Sequence, residues 1–131
     1  MILNPLPAAA VAAILLAATA ADAAVNPAPN RACFASNTWT GWSAPGEGDV
    51  LYLKVGLNDV YQVDLTRGSH VRKDGSNFIV NQIRGSNWIC SALDLDLTLS
   101  DQRGFRQPLI ARSLRKLTPA EIAAIPRKDL P

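Results

Sequence analysis

The sequence predicts a mostly β fold: a small antiparallel barrel or sandwich of five to six strands with a short C-terminal helix. Three observations carry this. Residues 50–55 place Leu51, Leu53 and Val55 on one strand face, and residues 60–65 do the same with Tyr61, Val63 and Leu65. Gly56, Leu57, Asn58 and Asp59 supply turn residues between them, so the pair reads as a β-hairpin. Further on, Leu93, Leu95, Leu97 and Leu99 alternate with Asp94, Asp96 and Thr98, the pattern of a strand with one buried and one wet face. Finally, Thr118 can cap a helix whose first position is Pro119, Glu121 completes a capping box, and Pro126 ends the helix within two turns.

The remaining elements follow in chain order. Pro27 and Pro29 make residues 24–30 an extended linker, because each proline also pushes its predecessor out of the helical region. Residues 36–43, rich in Thr, Ser and Trp, fit a strand, and residues 44–49 are loop chemistry throughout. Asp74-Gly75 marks a turn before a strand at 78–83, which Gly85-Ser86-Asn87 breaks. Residues 88–90 and 93–99 give two more strands. Residues 109–117 look strand-like with basic side chains on both faces, as in an edge strand or a bulge.

Ahead of all this lies a segment that is expected to leave the mature protein. Ala8 to Ala21 is a run of 14 residues in which only Thr19 is polar. That is the length of a signal-peptide core and short of the roughly 18–20 apolar residues that span a bilayer. Ala21-Asp22-Ala23 supplies a cleavage site of the A-x-A type, although residues 1–7 contain no Lys or Arg. The division expected is a signal peptide at 1–23, a linker at 24–30 and one disulfide-bonded β domain at 31–131, with no membrane span after cleavage.

Cutting after Ala23 leaves 108 residues with thirteen basic and ten acidic side chains, a mild net charge of +3. From Asp101 onward seven basic residues face three acidic ones; in an exported protein this reads as a solvated face, and no nucleic-acid partner is implied. Cys33 and Cys90 stand far apart, in no C-x-x-C or zinc-like spacing, and in an oxidising compartment they most simply pair. Closing a loop of about 60 residues removes denatured-state entropy worth roughly 4 kcal/mol. The bond is read as structural.

No constellation of residues reads as catalytic. Asp94-x-Asp96-x-Thr98 spells the nucleophile motif of haloacid-dehalogenase-like phosphotransferases, but too little chain follows it for their fold. Two carboxylates two apart also fit calcium chemistry, yet the six to eight oxygen ligands that calcium takes are not in view. His70, the only histidine, adjoins Ser69, and neighbours on an extended chain point to opposite faces, which is poor geometry for a nucleophile and its base. No metal or cofactor is implied. Trp39 and Trp42 are the candidate ligand-binding residues, because exposed indoles offer large area at low entropic cost; the competing expectation is that they fill a small core. Trp88, two residues from Cys90, is expected to pack over the disulfide.

Four segments in register resemble a family: Arg31-Ala32-Cys33-Phe34, residues 55–65 (VGLNDVYQVDL), residues 88–97 (WICSALDLDL) and residues 113–131 (SLRKLTPAEIAAIPRKDLP). Their order and spacing resemble small exported proteins of alphaproteobacteria and their relatives, a domain of unknown function numbered 6491. The resemblance covers nearly the whole mature domain. It implies export and a cysteine framework, and brings no activity, cofactor or catalytic residue with it. Such proteins carry a second cysteine pair, and the matching regions here, 68–71 and 107–109, have neither partner, which leaves Cys33 with Cys90.

The expectation is therefore a non-enzymatic periplasmic or secreted domain that binds a protein or envelope component. The alternative is a glycan or small-ligand binder using Trp39 and Trp42. The kinship with small exported inhibitors and binding modules is one of architecture only.

Overall fold

The computed structural model describes residues 32–72 and 75–131. The expected signal peptide, the linker, Arg31 and the Asp74 half of the expected turn lie outside them. Nine strands and one α-helix follow in order: β1 (Phe34–Ala35), β2 (Trp39–Ser43), β3 (Val50–Val55), β4 (Asp59–Leu65), β5 (Asn77–Asn81), β6 (Trp88–Ile89), β7 (Leu97–Asp101), β8 (Arg106–Leu109), β9 (Ala111–Lys116) and α1 (Pro119–Ala124). They form three antiparallel sheets, ordered β2-β3-β4-β9, β5-β7-β8 and β1-β6. The result is sandwich-like and not a closed barrel.

The hairpin forms as its alternation requires. Leu51 pairs with Val63 and Leu53 with Tyr61, and these inward residues are all buried. Across from them, Ile79 on β5, Leu97 and Leu99 on β7 and Leu109 on β8 complete one core between the two larger sheets. The opposite face of the four-stranded sheet has a smaller core of its own, where Val60, Leu117 and Ile125 pack with Tyr52 and Ile122 under α1. The helix begins as its sequence dictates: the Thr118 hydroxyl accepts the Glu121 N–H, and the Glu121 carboxylate accepts the Thr118 N–H at 2.8 Å. By contrast, the outer face of the three-stranded sheet has no cover among the described residues, and Phe78 and Val80 stand exposed on it.

Four expectations are corrected. Among the described residues the strand count rises from five or six to nine; the two-residue β1 lies where the sequence predicts no strand, and the 109–117 stretch belongs to two strands. The 93–99 strand begins only at Leu97; its first part is a 3₁₀ turn, Ala92–Asp94, which leaves Leu93 96% exposed. The cause is local. The Asp94 carboxylate accepts the N–H groups of both Cys90 and Ser91 at 2.9 Å, and this side-chain cap outcompetes the strand ladder. The 109–117 strand is two, because Ile110 carries the chain from one sheet to the other. Its N–H donates to the Ser69 hydroxyl and its carbonyl accepts from Thr66, which holds the corner.

The fourth correction concerns Trp88, which does not pack over the disulfide but is 58% exposed. Phe34 and Ile89, paired across β1 and β6, are buried in the main core. Cys33 and Cys90 are bonded, one step beyond that pair. The bridge staples the two-stranded ribbon formed by β1 and β6. Among the described residues no helix is long and apolar enough to cross a membrane.

Candidate functional site

Trp39 and Trp42 lie three residues apart, which on a regular strand would send them to opposite faces. They share a face because β2 carries a bulge. Trp39 pairs with Val55 and Trp42 with Leu53, and the register shifts between Trp39 and Gly41. Val55 and Leu53 both point into the core, so both indoles turn the same way. The Trp39 indole N–H donates to the Gly41 carbonyl at 2.7 Å, across the bulge, which fixes its ring.

Both tryptophans are half-buried and pack against the main core. One side of each ring packs on the core, and the other lines a groove of about 430 Å³. Its walls come from two sheets. β2 is the end strand of the four-stranded sheet and β5 the end strand of the three-stranded one, and the groove runs where these edges approach without pairing. Ile79 and the exposed Ile83 form its other apolar wall.

The polar lining is uncharged. Asn37, Asn81 and Asn87 bring carboxamides, Ser36 and Thr40 bring hydroxyls, and among the described residues no Asp, Glu, Lys or Arg lines the groove. Two of these groups are held in place. The Ser36 hydroxyl donates to the Asn87 carboxamide oxygen, and the Asn81 oxygen accepts the Asp96 N–H at 2.9 Å. That second bond also settles which end of Asn81 is nitrogen. Its amide nitrogen is buried and has no hydrogen-bond partner among the described residues, an unusual state for a group whose desolvation costs about 1–3 kcal/mol.

The other residues singled out in the sequence do not converge here. His70 is exposed, while its neighbour Ser69 is buried with its hydroxyl accepting the Ile110 N–H at 3.1 Å. Asp94 caps its own turn, and Asp96 pairs with Arg84 at 2.5 Å. The two carboxylates therefore serve separate local structures. The Cys90 N–H, with the further Ser91 donors, holds the Asp94 carboxyl below the usual carboxylate range.

A second groove, of about 600 Å³, runs beside the disulfide along β9. Arg112, Arg115, Lys116 and Leu114 line one side, and Cys90, Ser91 and Leu93 the other. The basic C-terminal segment of the sequence was a signal for it, but only the tertiary structure sets those cations against an exposed leucine.

No family model, no curated protein and no solved structure matches this chain.

Proposed function

We propose that this chain is an exported, non-catalytic binding domain whose Trp39–Trp42 groove holds an uncharged envelope component, a neutral glycan segment. The observation that carries the reading is the composition of the groove among the described residues: two indoles, three carboxamides, two hydroxyls and no charge. Indole faces stack on the apolar faces of sugar rings, and carboxamides can both donate to and accept from hydroxyl groups. Export is supported by the apolar run at 8–21, the disulfide and the family resemblance.

The test is a titration of the mature protein with chito-oligosaccharides and with uncharged gluco-oligosaccharides, followed by tryptophan fluorescence and amide chemical shifts. Saturable changes confined to β2 and β5, reduced in Asn81→Ala and abolished in Trp42→Ala, are expected. Changes that persist in both variants, or none with any neutral oligosaccharide, would reject the glycan.

A protein ligand in the same groove is the second reading. It is favoured by one observation: β2 and β5 are each the end strand of their sheet beside the groove, and end strands are where an extended peptide can add. Photo-cross-linking in the periplasm from a probe at Ile83 separates the two, since a single protein adduct there, absent from a probe at Ala123 on α1, supports the peptide. N-terminal sequencing of the periplasmic protein, expected to begin near Ala24, tests export itself.

A further inference from the structure

We propose that the outer edge of β9 is a second docking site, which takes an extended acidic polypeptide segment as a fifth strand of the four-stranded sheet. Three observations converge on it.

The first is the backbone. β9 pairs with β4 on one side, and among the described residues no backbone hydrogen bond reaches its other side. An edge strand six residues long presents a row of donors and acceptors to any chain that can align with it.

The second is charge. Arg112, Arg115 and Lys116 lie along that edge, and among the described residues no Asp or Glu lines the groove beside it. Arg115 is drawn to Glu121 at 2.7 Å and Lys116 to Asp59 at 2.9 Å. Arg112 belongs to none of the ion pairs among the described residues, and its side chain is exposed. A basic edge repels a second copy of itself, so the same charges that guard against self-association select an acidic strand.

The third is the opposite wall. Leu93 projects almost wholly into solvent from the 3₁₀ turn, yet that turn is fixed at its base. Asp94 binds the Cys90 and Ser91 N–H groups, and Cys90 is bonded to Cys33. An apolar side chain held out by a braced turn costs little entropy to immobilise, which is what an interface anchor needs. With Leu114 across the groove, it offers an apolar contact to alternate residues of an incoming strand, while Arg112 meets a carboxylate.

The experiment is selection from a displayed library of random short peptides on the mature protein, followed by NMR titration of the enriched sequences. Enriched peptides should alternate apolar residues with Asp or Glu, and bind more weakly as salt rises. They should slow amide exchange along β9. Leu93→Asp and Arg112→Glu change exposed side chains and should fold normally, with each weakening binding by about tenfold or more, as loss of an interface anchor does. Enrichment of peptides without acidic residues, undiminished binding to Arg112→Glu, or shifts that fall on β2 and β5 would each overturn the proposal. So would association with phosphatidylglycerol vesicles when no peptide is enriched, since the basic edge would then be reading a lipid surface.

Discussion

Val63 lies directly across from Leu51 in the β3–β4 ladder, and neither side chain has any exposed surface. On its other side Val63 faces Leu114 of β9, so it sits at the centre of the inner face of the large sheet. Val63→Asp would place an unpaired charge there. We expect it to destabilise the domain by about 4 kcal/mol or more, read as a fall in the urea midpoint. An unchanged midpoint would mean that the face assignment is inverted.

The bond between Cys33 and Cys90 closes a loop of 57 residues. Cys33→Ser, Cys90→Ser and the double variant should lose similar stability, about 2–5 kcal/mol, because either single change removes the same bond. Alkylation of the unreduced protein followed by mass spectrometry checks the bond itself; two alkylated thiols would refute it.

Gly48 has a positive φ of 82°, and a Cβ there would lie 2.1 Å from the Val71 carbonyl oxygen. Its own carbonyl accepts the Val71 N–H at 2.8 Å, so the two backbones are locked in close approach. Gly48→Ala should cost about 3 kcal/mol or more in a denaturant melt, whereas Gly46→Ala, which meets no neighbour and bears only its positive φ, should cost less.

Asp64 and Asp94 are among the carboxyl groups that make the domain sensitive to acid. Burial pushes the Asp64 carboxyl up, but the Ser113 hydroxyl and Gln62 amide that donate to it, with Arg112 and Arg115 nearby, bring it below the usual range. Asp94 is lowered by the Cys90 N–H and the Ser91 donors. Both folded values lie under the unfolded one of about 3.9, so their stabilisation is complete at neutral pH and disappears as pH falls through the folded values. Urea midpoints should therefore drop below about pH 4. In the Asp64→Asn and Asp94→Asn proteins that drop should be shallower, and a drop of undiminished steepness would place the sensitive groups elsewhere.

Trp88 and Trp42 should respond differently to substitution. Trp88→Tyr should change stability by no more than about 0.5 kcal/mol, since its ring is mostly in solvent. Trp42→Ala removes an indole packed on the core and should cost about 2–4 kcal/mol. Thermal melts of the two variants make the comparison, and equal losses would contradict the placement of Trp88.

What the sequence determined by itself was whatever rests on local pattern. The β3–β4 hairpin follows from period-two alternation around a turn, and α1 from a capping box followed by a proline, and both take the form the pattern demands. Alternation failed at Leu93 because one side chain, Asp94, captured the backbone before the ladder could form, an outcome that residue spacing does not encode. Only the tertiary structure decided the site. Trp39 and Trp42 are an odd number of residues apart, and the regular strand rule separates them. A one-residue bulge against β3 brings them to the same face, and the groove they line exists because two sheets meet edge to edge without pairing. Both features depend on which strands lie beside one another, and a property of neighbours in space cannot be read from neighbours along the chain.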